Sequence, residues 1–114
     1  MTDGRETKRA ERTSELIAHE AARFIKENAG TESLITVTRS AALGTGMRVI
    51  VYVSVFPEDR EAGALAFLAR GREAFSDHLK AHVRVRPLPR ITFEIDHGEK
   101  HRRRLDEIKE GPIT

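Results

Sequence analysis

A single helical stripe of apolar residues runs from residue 64 to residue 83, and a glycine lies in its middle. The members of the stripe are Ala64, Phe67, Leu68, Gly71, Phe75, Leu79 and Val83. Their spacing of three and four residues keeps one face of a helix apolar throughout. Glycine inside a helix costs about 1 kcal/mol relative to alanine. The stripe therefore predicts a helix that is kinked or interrupted within residues 70–74, with both halves packed on one core.

Apolar periodicity also predicts a helix and a pair of strands before this stripe. Residues 7–28 place Ile17, Ala21 and Phe24 on one helical face, and a glycine at position 30 provides a stop signal. Residues 33–42 and 48–56 alternate β-branched residues, which is typical of strands. A glycine-containing turn at residues 43–47 joins them.

The third strand is predicted to follow two prolines. Pro87 and Pro89 cannot donate the backbone hydrogen bonds of a sheet, whereas Ile91, Phe93 and Ile95 alternate with polar residues. This strand is expected to end near residues 96–98, and residues 101–110 are expected to form a short helical turn. Gly98 argues against a helix at the start of that segment.

The predicted order of elements is helix, strand, strand, kinked helix, strand, which is the order of a type II KH domain. We therefore expect an α+β, KH-like fold whose three-stranded sheet is covered by helices on one face. Residues 1–6 are expected to form a flexible leader and residues 7–97 the domain. Residues 98–114 are expected to form a basic C-terminal tail with a short helix.

Composition excludes several classes of protein. The chain of 114 residues contains no cysteine, which rules out disulfides, thiolate metal sites and cysteine nucleophiles. Its longest apolar run, residues 49–55, is too short to cross a membrane, and the N-terminus lacks the apolar core of a signal peptide. We therefore expect a cytoplasmic protein without a membrane partner.

No spacing of residues predicts catalysis or a cofactor. Residues 19–23 (His-Glu-Ala-Ala-Arg) have an arginine where the zincin motif needs its second histidine. His97 and His101 lack a convincing third ligand. His78 and His82, four residues apart, are either weak metal ligands or residues that flank the core or contact RNA. The sequence thus predicts no catalytic residue, no metal site, no cofactor and no small-molecule substrate.

Basic residues are segregated into stretches that contain no acid, although the net charge is only +2. Such segregation produces a one-sided positive field that suits a polyphosphate. A helix that restarts after Gly71 would also offer free N–H groups to a phosphate. The predicted RNA-binding residues are Arg70, Gly71, Arg72, Lys80, Arg84, Arg86, Arg90, Arg102, Arg103 and Arg104.

Four segments resemble the ribosome-binding factor A family, and the likeness covers roughly residues 9–108. Residues 12–17 (Arg-Thr-Ser-Glu-Leu-Ile) are similar to the family's Arg-Val-x-x-Leu-Ile, and residues 37–38 and 51–55 resemble its hairpin. Residues 85–96 match Leu-Arg-x-x-Pro-x-Leu-x-Phe-x-x-Asp at most of the specified positions. Residues 104–108 resemble the Arg-Ile-x-x-Leu ending.

Two segments depart from the family pattern. The family has an Ala-x-Gly kink between its second and third helices, whereas this chain has Gly71-Arg72-Glu73, with an acid in place of the glycine. Residues 43–46 (Leu-Gly-Thr-Gly) replace the family's Ser-x-Asp-Leu before the second strand. The resemblance thus indicates a divergent member, and the acid is expected to weaken phosphate contact at the kink.

The resemblance implies a non-enzymatic, monomeric factor that binds the maturing small ribosomal subunit and its 16S ribosomal RNA during processing. Glu73 motivates an alternative, in which the KH-like frame has become a protein-interaction module without RNA binding. A small hydrolase is the least favoured interpretation, because no catalytic constellation supports it.

Overall fold

The structure, a computed structural model, describes residues 4–44 and 47–110, with side chains described up to residue 106. It consists of four α-helices, a short 3-10 turn and three strands. In chain order these are α1 (Gly4–Asn28), β1 (Leu34–Leu43), β2 (Arg48–Phe56), the 3-10 turn (Glu58–Arg60), α2 (Glu61–Arg70), α3 (Arg72–His82), β3 (Arg90–Ile95) and α4 (His97–Glu110).

The three strands form one mixed sheet with β2 in the centre. β1 pairs with β2 antiparallel, as a hairpin must. β3 pairs with β2 parallel, from Arg48 opposite Arg90 to Val53 opposite Ile95. A parallel pair requires a long crossover between its strands, and α2 and α3 together supply it.

One face of the sheet carries the core. Val49, Val51, Val53 and Val55 alternate along β2 and are fully buried, because every second side chain of a strand points to the same face. α1, α2 and α3 pack on this face, whereas Tyr52 and its neighbours on the other face are only half-buried. The predicted α+β, KH-like fold with helices on one face is confirmed.

The predicted interruption of the long helix is also confirmed, and it lies at Gly71. α2 ends at Arg70 and α3 begins at Arg72, with Gly71 at φ −84° and ψ 7°. Any residue can adopt these angles. A Cβ atom on Gly71 would lie 3.5 Å from the carbonyl oxygen of Phe67 and 3.7 Å from the ring of Phe24. Both distances are ordinary van der Waals contacts, so the break does not depend on the special backbone freedom of glycine.

Within the described residues, the first and last helices are longer than the sequence predicts. α1 begins at Gly4, so residues 4–6 are helical where a flexible leader was expected, and buried Ala10 gives this early part of the helix a packed face. α4 begins at His97, four residues before the predicted start. Asp96 explains the earlier start, because its Oδ1 accepts a hydrogen bond from the Glu99 N–H at 3.0 Å, as an N-cap does.

The division into a leader, a domain and a tail stays a prediction. β3 ends at Ile95 and α4 begins at His97, so the expected boundary between residues 97 and 98 lies in the first turn of α4. In the predicted turn at residues 43–47, Gly44 has a positive φ of 65°, which favours glycine. Thr45 and Gly46 lie outside the described residues, as do residues 1–3 and 111–114.

Candidate nucleic-acid interface

A groove of about 850 Å³ runs along the outer edge of the sheet, between β3 and the pair α2 and α3. Its floor is largely apolar. The residues that line it are Arg48, Leu65, Leu68, Ala69, Arg72, Phe75, Ser76, Leu79, Leu88, Pro89, Arg90, Ile91, Thr92 and Phe93. Among the described residues, β3 pairs with β2 alone, which makes it an edge strand of the sheet.

Three arginines are the charged residues of this groove. Arg48 begins β2 and Arg90 begins β3, and the two are directly paired in the parallel register. Arg72 is the first residue of α3, on the opposite wall. All three are exposed and make no ion pair with a described residue. Because no acid is among the described residues that line the groove, its local field is positive.

The structure thus brings two of the predicted residues, Arg72 and Arg90, into one groove and adds Arg48. Sequence reasoning missed Arg48 because it stands alone at the start of an apolar strand, outside every basic stretch. Only its register with Arg90 makes it part of the site. The element order of a type II KH domain places the last strand beside the second. This order is the one sequence signal that could have suggested the pairing of Arg48 with Arg90.

Two further predicted residues, Arg70 and Gly71, lie elsewhere. Arg70 lines a separate, smaller groove of about 270 Å³ beside Gly30 and Ile35, because neighbouring residues of a helix face different directions. Gly71 is half-buried and its N–H donates to the carbonyl of Phe67 at 3.0 Å. The free N–H groups expected at the break belong to residues 72–74, in the first turn of α3, so the predicted phosphate contact at the break stays a prediction.

The basic residues after α3 divide into exposed and structural ones. Lys80 and Arg84 are exposed and make no ion pair with a described residue. Arg86 folds back on the end of α3, where its guanidinium donates to the carbonyls of Lys80, Val83 and Val85 at 2.8–3.0 Å. A cation at a helix C-terminus satisfies carbonyls that have no helical partner, so Arg86 has a structural task.

The arginines of the predicted basic tail lie on α4, and two of them are paired with acids. Arg103 contacts Glu99 at 3.1 Å, and Arg104 contacts Glu58 at 3.0 Å. Arg102 is exposed without an ion pair among the described residues. The charge available to a phosphate is therefore smaller here than the sequence suggests.

Asp96 holds the junction of β3 and α4 in place and was not predicted as a functional residue. Its side chain is 1% exposed, and Oδ2 accepts hydrogen bonds from the Thr38 hydroxyl at 2.6 Å and from Arg39 Nε at 3.2 Å. A register shift of β1 between Val37 and Arg39 is a β-bulge, which re-aims side chains at this point. Burial alone would raise the pKa of Asp96, but these hydrogen bonds, that of the Glu99 N–H and the charge of Arg39 outweigh it, so the pKa is lowered.

The acid at the kink lies outside the lining of the groove. Glu73 is exposed in the first turn of α3 and is not among the residues that line the groove. The expected weakening of phosphate contact by Glu73 stays a prediction. It would concern a phosphate at the solvent-exposed start of α3 and not one bound within the groove.

Within the described part of the chain, no helix combines the length and the apolar character needed to cross a membrane.

Comparisons with known proteins agree with this architecture. A family model described as "Ribosome-binding factor A" matches residues 9–109. The crystal structure of ribosome-binding factor A from Thermus thermophilus is 30% identical, with a TM-score of 0.64 over 72% of this chain and 89% of that chain. The Thermus thermophilus factor, as a homology model fitted into the cryo-EM map of a 30S complex, is 28% identical, with a TM-score of 0.66 over 77% of this chain and 96% of that chain.

Comparison with curated protein sequences gave no match. The family match nevertheless spans almost the whole chain. This chain therefore belongs to the ribosome-binding factor A family.

Proposed function

We propose that this protein is an RNA-binding factor that associates with the small ribosomal subunit, through its 16S ribosomal RNA, while the subunit matures. The similar Thermus protein was fitted into a 30S complex, and this chain shares its family. The observation that carries the proposal for this chain is the groove with three arginines and no acid among its described lining residues.

The groove offers an RNA strand two kinds of contact. Arg48 and Arg90 on one wall and Arg72 on the other supply charge-assisted hydrogen bonds to phosphate oxygens. Phosphate contacts of this kind fix the position of a nucleic acid but carry little sequence information. The floor between these two walls is largely apolar. Its residues, such as Leu65 and Phe93, offer a surface for unstacked bases.

We also propose that the protein acts by binding and not by catalysis, as a cytoplasmic monomer without a small-molecule substrate. Arginine has too high a pKa to act as a general base. The groove's described lining contains neither a carboxylate nor a histidine, and its Ser76 has no partner of that kind there. These features support a surface that holds an RNA rather than one that cleaves it.

Co-sedimentation with purified 30S subunits over a salt series tests the proposal. The groove variant Arg48→Ala/Arg72→Ala/Arg90→Ala should bind more weakly, and its salt slope should fall by about one for each lost phosphate contact. A matched control, Arg12→Ala/Lys26→Ala/Arg60→Ala, removes the same charge from exposed sites outside the groove and should keep the slope of the parent.

Two results would contradict the proposal. Equal weakening by both variants would show that net charge, and not the groove, governs binding. A parent protein that binds no ribosomal RNA at low salt, yet binds a protein of the subunit, would instead favour the protein-interaction module.

A further inference from the structure

Three potential metal ligands from two helices lie together on the far side of α3 from the groove. Glu20 of α1 faces His78 of α3, and the carboxylate Oε1 lies 3.1 Å from His78 Nε2. His82, one turn later on α3, stacks on His78 with ring centroids 4.1 Å apart. Each residue has a ligand atom within 4.8 Å of those of the other two. Sequence reasoning considered the two histidines only as a pair, because Glu20 is 58 residues away from His78.

Core packing holds the first two of these ligands in position. The ring of Phe24, one turn after Glu20, packs on Phe75 and on the edge of His78 at centroid distances of 5.2 and 5.6 Å. The Glu20 and His78 side chains are only 7% and 10% exposed. Their relative position is therefore set by the fold, as a metal site needs, while exposed His82 leaves a path from solvent.

A backbone carbonyl determines which nitrogen of His82 is available. His82 Nδ1 lies 2.7 Å from the carbonyl oxygen of His78, and a carbonyl can only accept a hydrogen bond. Nδ1 therefore carries the proton, and in the neutral ring Nε2 keeps its lone pair. Metal-binding histidines commonly have this arrangement, in which a hydrogen bond at one nitrogen orients the other toward the metal.

The separation of the first two ligand atoms fits a tetrahedral ion. Two ligands at about 2.0–2.1 Å from a tetrahedral zinc ion lie about 3.3–3.4 Å apart, close to the observed 3.1 Å between Glu20 Oε1 and His78 Nε2. The ligand atom of exposed His82 lies within 4.8 Å of those of Glu20 and His78, so it has to approach them by at most about 1.5 Å to complete the site. Two imidazoles and one carboxylate are a donor set for a borderline divalent ion, and three protein ligands leave a position for water.

We propose that Glu20, His78 and His82 form a binding site for a divalent transition-metal ion, Zn²⁺ in the first place, that links α1 to α3. Zn²⁺ takes the lone pair of His78 Nε2, so the proton through which this nitrogen bonds Glu20 must leave it: an imidazolium releases that proton to solvent and stays neutral with its Nδ1–H, whereas a neutral ring gains a proton at Nδ1 as it loses the one at Nε2. The site is distinct from the groove and does not depend on RNA binding.

Arg23 competes with the metal for the carboxylate. Its guanidinium lies 3.1 and 3.2 Å from the two oxygens of Glu20, and its side chain is 48% exposed. Because it is so exposed, the arginine can turn to solvent when the ion binds. An Arg23→Ala variant should accordingly bind zinc more tightly than the parent.

Calorimetric titration of the tag-free chain with Zn²⁺ alone tests the site. We expect one ion per chain and a loss of affinity of at least about tenfold in His82→Ala, because the loss of even an outer-shell partner of a metal ligand commonly costs about 10–100-fold. His82 is exposed, so this variant should keep the far-UV circular dichroism and urea midpoint of the parent. The control His97→Ala/His101→Ala removes the other pair of histidines four residues apart and should leave the affinity unchanged.

Three results would overturn the site. They are a parent without zinc binding tighter than millimolar, an unchanged affinity in His82→Ala, and a loss of binding in the control variant. A weaker affinity in Arg23→Ala would likewise exclude Glu20 as a ligand.

Discussion

Replacing Asp96 by alanine should destabilise the fold by about 3 kcal/mol. Its loss as the N-cap of α4 costs about 1 kcal/mol. Its buried carboxylate also accepts hydrogen bonds from Thr38 and Arg39, and hydrogen bonds to charged groups contribute about 1.5–3 kcal/mol each. Because Arg39 is half exposed, its contact adds little, and we count the Thr38 bond at about 2 kcal/mol.

Urea unfolding at pH 7, followed by far-UV circular dichroism, measures this change. With a slope of roughly 1.5 kcal/mol per molar urea, the midpoint of Asp96→Ala should fall by about 2 M. Asp77→Ala is the matched control, because Asp77 is an exposed acid on α3. Such a surface substitution should stay within about 0.5 kcal/mol of the parent.

A double-mutant cycle and a pH series sharpen the test. Thr38→Val combined with Asp96→Ala should show a coupling energy of about 1 kcal/mol or more. Because the pKa of Asp96 is lowered from its ordinary 3.8, its contribution is present above that pH and is lost as the pH falls through the lower folded value. A loss below 0.5 kcal/mol at pH 7 would refute the reasoning, as would a difference that does not shrink in acid.

Three more stability predictions follow from the helices, each measured by the same urea unfolding. Gly71→Ala should stabilise the fold by about 0.4–1 kcal/mol, because its backbone angles suit any residue, whereas Gly71→Leu should cost about 1–3 kcal/mol because it overpacks against Phe24. Arg86→Ala should cost about 1 kcal/mol through its lost hydrogen bonds to carbonyls at the end of α3; an unchanged midpoint would show that these bonds do not matter. Burial by itself would raise the pKa of the Glu20 carboxyl. The hydrogen bond with His78 and the charge of Arg23 together lower this pKa by more than burial raises it, so the net shift is downward. The loss of unfolding free energy in Glu20→Gln should thus have its full size above pH 4.5 and should disappear as the pH falls below the lowered pKa of Glu20. An equally large loss of stability in strong acid would contradict this.

Local patterns in the sequence determined the elements of this protein. The stripe from Ala64 to Val83 predicted the interrupted helix, and the alternation of valines along β2 predicted its buried face. Both signals arise because side-chain direction repeats with the period of the backbone. The exact ends were less predictable, since α4 begins early through the capping of its first turn by Asp96.

Tertiary structure decided which residues meet. The parallel register of β2 and β3 places Arg48 beside Arg90, and the packing of α1 on α3 brings Glu20 to His78. Tertiary contacts also pair Arg104 with Glu58, so that a basic stretch of the sequence is partly neutralised. The physical reason is that periodicity reports only the direction of a side chain relative to its own element. Contacts between distant residues depend instead on strand register and helix packing, which are set when the whole chain buries its apolar faces together.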